Sequence, residues 1–151
     1  MEREQLAQLE HLDRGLVAVH TSEGNYLSWR LLGGEAAGCG DKGLIGVHFH
    51  LYRDGRRIAT VEDSTNYLDR DGTLSSVYWV CAVEDGRELE RSAEARPWEN
   101  GYCELPLRKP DGGVTPAGEA YTYSANDMSV GDVDGDGRYE FFVKWDPSNS
   151  K

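Results

Sequence analysis

Apolar and polar side chains alternate with a period of two along several short stretches in the first two thirds of the chain. Within Asn25–Leu32 the alternation places Leu27, Trp29 and Leu31 on one face. Within Ile45–Val61 it does the same for three further apolar residues, Val47, Phe49 and Leu51. This period marks β-strands with one face buried and one exposed.

Turn signals separate these stretches. Asp54-Gly55 and Asp85-Gly86 each predict a two-residue hairpin turn, whereas the glycine-rich segment 33–44 predicts a loop. About seven short strands over about 85 residues, with regular turn signals, are typical of an antiparallel β-sandwich. The order of "YLD" and "VYWVCAVEDG" resembles a fibronectin type III module. The predicted fold class is therefore all-β, beginning with a fibronectin type III-like sandwich.

Three segments are predicted along the chain. Residues 1–12 form a polar N-terminal segment with about two helical turns, and residues 13–100 form the sandwich. Four of the five prolines fall within 96–124, which places a domain boundary at about residue 100. Residues 101–151 then give a strand at 119–124, an acidic loop and a strand at 139–145.

Charge and composition narrow the classes of partner. A net charge of −11 argues against binding to a nucleic-acid backbone. The sequence contains no run of eighteen apolar residues, so no membrane span is predicted. No basic and apolar leader follows Met1, so a cytoplasmic location is expected, or secretion if the true N-terminus lies upstream. The three cysteines lack zinc-site spacing and are expected to be reduced. We expect a monomer.

The acidic stretch "GDVDGDGRYE" carries the clearest candidate chemistry. Carboxylates at alternate positions of a tightly turning loop can converge on a hard cation such as Ca²⁺. Gly135 and Gly137 allow the sharp turn. The predicted ligands occupy positions 1, 3, 5, 7 and 9 of the loop: Asp132, Asp134, Asp136, the backbone carbonyl of Arg138, and Glu140.

This loop has two other interpretations. An EF-hand needs glutamate at position 12, where Val143 stands, and flanking helices, whereas strands are predicted on both sides here. A plain turn whose aspartates cap backbone amides would leave three clustered carboxylates repelling one another. Calcium is therefore favoured, in a structural rather than a catalytic role.

Several blocks in order resemble one enzyme family: "HLDRGLVAV", "YLSWRLL", "STNYLD", "PLRKPDGG" and "YTYSANDMSVGDVDGDGRYEFFVKWDPSNSK". They are similar to the N-terminal part of the rhamnogalacturonan lyases of polysaccharide lyase family eleven, from about residue 5 to 151. The departures, at 33–44 and 81–98, are predicted to fall in loops or an edge strand.

This resemblance implies a small β-sandwich followed by a calcium-bearing β-propeller, of which the chain would hold only the truncated first blade. It implies calcium-assisted β-elimination on the backbone of pectic rhamnogalacturonan I, in which a base removes the C5 proton of a uronate whose carboxylate is neutralised. It carries no catalytic residue to this chain, so the fragment is expected to be inactive. The alternative is a freestanding β-sandwich module that binds carbohydrate or a partner.

Other candidate residues have structural explanations as well. His48 and His50 share a strand face and could pair on a metal, but no carboxylate is near in sequence. Tyr67, Tyr78 and Trp79 could stack on sugars or belong to the core. Two further pairs are candidates. Asn126 and Asp127 could have a functional or a loop-capping role, and His20 and Trp29 are expected at the edge of the sandwich core.

Overall fold

The computed structural model describes residues 12–41 and 43–150, and its secondary structure is almost entirely β. The described residues contain one 3₁₀ turn, Gly33–Glu35, and no α-helix. The predicted all-β class is therefore confirmed. No helix in this part of the chain is long and apolar enough to span a membrane. The N-terminal segment predicted to be helical lies, up to residue 11, outside the described residues.

The chain divides into two compact units, residues 1–103 and 104–151. The first unit contains two larger antiparallel sheets and one short hairpin. Its strands are β1 (Val17–Thr21), β2 (Gly24–Ser28), β3 (Ala36–Gly40), β4 (Gly43–Gly46), β5 (His48–Arg53), β6 (Arg56–Val61), β7 (Asn66–Asp69), β8 (Tyr78–Glu84) and β9 (Arg87–Arg91). The sheets have the orders β1-β2-β7 and β6-β5-β8-β9, and β3 pairs with β4 alone.

Both larger sheets contribute to one hydrophobic core. The alternation predicted for 25–32 holds, because Leu27 and Trp29 are buried while Tyr26 between them is 42% exposed. The second sheet contributes alternate residues of its two central strands: Phe49 and Leu51 from β5, and Tyr78, Val80 and Ala82 from β8. β5 therefore buries one face, as a period of two requires. β8 buries residues on both faces, because Cys81 and Val83, which lie between the core residues, are 1% and 3% exposed.

Both predicted hairpin turns are confirmed. Asp54 and Gly55 have φ of 50° and 79°, and Asp85 and Gly86 have φ of 48° and 76°. Two successive positive φ values match the twist of the flanking strands. These turns set the pairing of β5 with β6 and of β8 with β9.

The predicted loop at 33–44 is wrong. After the 3₁₀ turn, the chain forms β3 and β4, which pair as an antiparallel hairpin. All five residues of β3 are exposed. A strand with neither face buried has no alternation of apolar and polar residues, so its sequence resembles that of a glycine-rich loop.

Polar side chains tie loops of the first unit to its core. Arg14 is 8% exposed, and its guanidinium forms two hydrogen bonds of 2.6 and 2.7 Å with the carboxylate of Glu35. The same guanidinium lies 5.3 Å from the ring centroid of Phe49. The backbone amide of Leu32 also donates to Glu35. This bidentate pair therefore holds the 3₁₀ turn against the end of the core.

The second unit is dominated by one long hairpin. Its strands are β10 (Gly113–Val114), β11 (Ala120–Tyr121), β12 (Tyr123–Gly131) and β13 (Glu140–Pro147). β12 pairs with β13, and β10 with β11. Among residues 104–150 only Gly137 is buried. Four large apolar side chains of the long hairpin are about half exposed: Met128, Val130, Phe141 and Phe142. Within residues 104–150 the hairpin therefore has no hydrophobic core of its own.

Candidate metal centre

The acidic loop joins β12 to β13. The ladder between these strands ends at the pair Gly131 and Glu140, so residues 132–139 form the connection. Gly135 and Gly137 have φ of 78° and 87°, a region that glycine enters without steric cost. The two glycines therefore let the backbone turn tightly, as the sequence pattern requires.

Three carboxylates converge in this turn. One carboxylate oxygen from each of Asp132, Asp134 and Asp136 lies within 4.8 Å of the other two. Asp132 is partly buried, whereas Asp134 and Asp136 are exposed. A cluster of hard oxygen donors with open solvent on one side matches what Ca²⁺ takes, with water completing the shell. The donor set therefore fits a hard divalent cation.

Backbone amides hold the central carboxylate of this group. The carboxylate of Asp132 accepts hydrogen bonds from the amides of Gly135, Asp136 and Gly137, at 2.8, 3.1 and 3.0 Å. Asp134 accepts one bond, from Asp136, at 3.2 Å. Asp132 thus caps the turn through its own hydrogen bonds, whereas Asp134 contributes little to the turn besides its charge.

The remaining two predicted ligands have other contacts. The carboxylate of Glu140 accepts the amide of Val133 at 2.9 Å and is not one of the three converging groups. The amide of Arg138 donates to Asp136 at 2.8 Å. Glu140 thus closes the base of the loop at the end of the ladder. Ligation by Glu140 and by the Arg138 carbonyl remains a prediction.

A second polar group lies at the other end of the same hairpin. Asn126 and Asp127 belong to β12, at an irregularity of the ladder between Ala125 and Met128, so a loop-capping role is wrong. The side-chain amide of Asn126 donates to the carboxylate of Asp146, and Lys144 lies 3.1 Å from that carboxylate. These two contacts hold the pKa of Asp146 below its usual range, and the hydrogen bond from Asn126 is the larger cause.

The aromatic candidates do not form one patch. Tyr78 is fully buried, whereas its neighbour Trp79 points to the opposite face of the sheet and is partly exposed. Tyr67 packs against the core cluster from β7. Trp79 instead stacks on Tyr52 of β5, with ring centroids 3.6 Å apart and an interplanar angle of 9°.

The histidine candidates gain a partner that the sequence did not suggest. His48 and His50 lie side by side on β5, with ring centroids 6.0 Å apart. The carboxylate of Glu88 on β9 lies 2.5 Å from Nδ1 of His50 and accepts the hydroxyl of Tyr52 at 2.5 Å. Glu88 follows His50 by 38 residues, so only the sheet order brings them together. His20 bonds to Asn25, and Trp29 is buried in the core.

Two family models match the chain in succession. Residues 7–98 match the rhamnogalacturonan I lyases β-sheet domain, and residues 102–151 match the C-terminal domain of rhamnogalacturonan lyase family 11. The chain therefore belongs to the rhamnogalacturonan lyases, a family of polysaccharide lyases.

Particular relatives are close. The chain is 55% identical to the rhamnogalacturonan exolyase YesX and 53% identical to the rhamnogalacturonan endolyase YesW, both of Bacillus subtilis (strain 168), over 95% of its own length. It spans only 22% of each of these proteins. The crystal structure of YesX superposes with a TM-score of 0.85, covering 95% of this chain and 23% of that one. The structure of a family 11 rhamnogalacturonan lyase of Bacillus licheniformis superposes with a TM-score of 0.84 at 51% sequence identity, covering 95% of this chain and 24% of that one.

Proposed function

We propose that this chain is the N-terminal part of a rhamnogalacturonan lyase, which cleaves the backbone of pectic rhamnogalacturonan I by β-elimination. The observation that carries this proposal is the match of two successive family models across residues 7–98 and 102–151. The chain spans about 22% of each relative, which supports the proposal that the active enzyme includes sequence beyond these residues. The freestanding-module alternative is disfavoured for the same reason.

We further propose that the first unit is a fibronectin type III-like sandwich and that the second is the beginning of a β-propeller. The shared core of the β1-β2-β7 and β6-β5-β8-β9 sheets supports the first assignment. The exposed apolar side chains of the β12–β13 hairpin, such as Phe141 and Phe142, support the second. A two-stranded hairpin is marginally stable alone and gains stability when further strands cover it.

The acidic loop is proposed to hold a structural Ca²⁺ through Asp132, Asp134 and Asp136, with Glu140 and the Arg138 carbonyl as the predicted additional ligands. Three converging carboxylates repel one another, and a bound divalent cation relieves that repulsion. A Ca²⁺ ion there would fix the loop that joins β12 to β13. The chain's own contribution is to present the carboxylates from a preformed turn in which Asp132 accepts three amides.

A chimera tests the proposed function. Residues 6–151 of this chain would replace the homologous N-terminal segment of YesX, and the ultraviolet absorbance of the unsaturated product would be followed with rhamnogalacturonan I as substrate. We expect the folded chimera to be active within about tenfold of YesX, because the two segments are 55% identical and share the same fold. The 151-residue chain alone is expected to show no rate.

Two controls make this test decisive. YesX without its N-terminal segment measures what the remaining enzyme does unaided, and circular dichroism reports whether the chimera is folded. A folded chimera without activity would contradict the assignment of this chain to the lyase. A clear rate from the 151-residue chain would contradict the proposal that it is catalytically incomplete.

A further inference from the structure

The face of the β6-β5-β8-β9 sheet that points away from the core carries an ordered set of polar and aromatic side chains. Phe49, Leu51, Val80 and Ala82 point into the core, so the residues between them in the strands point outward. The set, called here the outer face, consists of Arg57, His50, Tyr52, Trp79, Glu88 and Arg91.

Hydrogen bonds fix the centre of the outer face. One carboxylate oxygen of Glu88, Oε1, lies 2.5 Å from His50 Nδ1 and accepts the Tyr52 hydroxyl at 2.5 Å. Arg57 lies 3.2 Å from His50 Nε2, which accepts if the imidazole carries its hydrogen on Nδ1. Glu88 therefore joins β9 to two side chains of β5.

Aromatic and cationic groups flank this centre. Tyr52 and Trp79 stack at 3.6 Å, and the guanidinium of Arg91 lies 5.6 Å from the Trp79 ring centroid. Stacked rings offer a rigid, amphipathic surface that loses little conformational entropy on binding. Their positions are therefore set before any ligand arrives.

The two arginines lie on the outermost strands of the sheet. Arg57 lies on β6, opposite Tyr52 of β5, and Arg91 lies on β9, opposite Cys81 of β8. Three strand spacings separate the two strands, which is about 14 Å. Among the described residues, no carboxylate lies within ion-pair distance of Arg57. Arg91 reaches Glu94 only at 3.8 Å, and both of these side chains are more than half exposed.

We propose that the outer face is a second binding surface for an acidic, uronate-containing glycan such as rhamnogalacturonan. The choice of this glycan rests on the proposed function. The outer face carries two guanidinium groups and one carboxylate, that of Glu88, with Glu94 beside Arg91 at 3.8 Å. The net charge of −11 over the whole chain otherwise repels an acidic polymer. A glycan laid across the four strands brings carboxylates to Arg57 and Arg91. Trp79, which stacks on Tyr52 and lies under the Arg91 guanidinium, holds that arginine in position.

Nuclear magnetic resonance of the ¹⁵N-labelled 151-residue chain tests this surface with de-esterified rhamnogalacturonan oligosaccharides as the probe. Carboxyl-reduced oligosaccharides of the same length are the matched ligand control. We expect the side-chain signals of Trp79, Arg57 and Arg91 to shift with the acidic probe and not with the reduced one. Sodium chloride should weaken the binding, because the contacts are between charges.

A pair of double variants locates the binding. The double variant Arg57→Gln with Arg91→Gln is expected to bind the acidic oligosaccharides at least tenfold more weakly. Arg56→Gln with Arg87→Gln removes the same charge from positions that the strand register places on the opposite side of the sheet, and is expected to change affinity less than twofold. Equal effects of the two double variants would overturn the proposal. So would equal binding of the carboxyl-reduced probe, or shifts confined to residues 104–151.

This result is independent of the chimera assay. An active chimera combined with no binding at the outer face would overturn this inference alone. Binding at the outer face combined with a folded but inactive chimera would overturn the lyase assignment and leave the surface in place as an acidic-glycan site.

Discussion

Tyr78 donates its hydroxyl hydrogen to the carboxylate of Asp69 over 2.7 Å, in the core between two sheets, where the two residues are 0% and 5% exposed. Arg53 donates to both oxygens of the same carboxylate at 2.7 Å. Asn25 donates to the Tyr78 hydroxyl and to the Thr73 carbonyl, each at 2.8 Å. This network joins β2, β5, β7 and β8, so it fixes how the two sheets meet.

Tyr78→Phe removes the hydroxyl at the centre of this network. It leaves a buried carboxylate with one fewer donor, and hydrogen bonds to charged groups contribute about 1.5–3 kcal/mol. We expect the free energy of unfolding in urea to fall by about 2 kcal/mol. Tyr67→Phe is the control, because the Tyr67 hydroxyl bonds to no described residue, and it should change stability by less than about 0.5 kcal/mol. Equal losses in the two variants would show that the network adds nothing specific.

Gly72→Ala tests the packing around the same hydroxyl. A Cβ at Gly72 would lie 2.2 Å from the Tyr78 hydroxyl oxygen and 2.6 Å from the Asn25 amide nitrogen. Both groups are held by buried partners and cannot move away, so we expect a loss of about 2–3 kcal/mol in urea unfolding. Gly34→Ala, where no atom lies within 4 Å of the added carbon, should be neutral within about 0.5 kcal/mol. A stable Gly72→Ala variant would mean that the loop can shift at little cost.

Much of this architecture was predictable because local rules and tertiary structure agree in the first unit. The burial of Leu27 and Trp29 follows from a period of two, and the Asp54-Gly55 turn follows from the need for positive φ. The convergence of Asp132 with Asp134 was predictable for a similar reason. Carboxylates two residues apart on a glycine-rich turn come together without information from the rest of the fold.

Other features depend on contacts that no local pattern records. β3 buries neither face, so it carries no periodic signal. β12 continues through Asn126 and Asp127, residue types with poor strand propensity, because its pairing with β13 overrides that preference. The His50–Glu88 pair spans 38 residues and exists only because β5 and β9 both border β8.

Glu88 sets the ionisation of Tyr52. The hydrogen bond from Tyr52 to the Glu88 carboxylate raises the pKa of Tyr52 to about 12, since ionisation would break that bond and place two negative charges together. The unfolded tyrosine has a pKa near 10. The hydrogen bond therefore contributes stability that is fully present below about pH 10 and is lost as the pH rises towards 12.

Glu88→Gln should therefore lower the pKa of Tyr52 towards its ordinary value of about 10. The ultraviolet absorbance of tyrosinate, measured as a function of pH and compared with that of Tyr52→Phe, assigns the transition to this residue. Glu90→Gln removes the same charge from the same exposed strand, and the Tyr52 hydroxyl donates to Glu88 rather than to Glu90, so this variant should leave the pKa of Tyr52 unchanged. If both glutamine variants shift the titration alike, general charge rather than this hydrogen bond controls Tyr52.

Variants of the acidic loop should separate turn formation from cation binding, since Asp132 and Asp134 differ in their hydrogen bonds from backbone amides. Asp132 accepts three backbone amides, so Asp132→Ala should disturb the signals of residues 132–140 even without added metal. Asp134 accepts one long bond, so Asp134→Asn should leave the metal-free spectrum nearly unchanged while weakening the response to Ca²⁺ at least tenfold. Stepwise addition of Ca²⁺ to the ¹⁵N-labelled chain, followed by amide chemical shifts, measures both effects.

In the 151-residue chain without substitutions, millimolar Ca²⁺ should shift the amide signals of residues 119–146, while the signals of the first unit stay unchanged. A cation that binds only the folded loop stabilises it by about 2.7 kcal/mol at a hundredfold excess over Kd, so removal of Ca²⁺ with a chelator should reverse the ordering. Mg²⁺ should act more weakly, because it requires near-octahedral geometry and releases its water reluctantly. Asp127→Asn is the matched control, since Asp127 lies four residues before the end of β12, about 13 Å along the strand from Gly131. If Asp134→Asn titrates like the parent chain, or if no loop signal moves with Ca²⁺, the three aspartates only cap the turn and the calcium proposal is wrong.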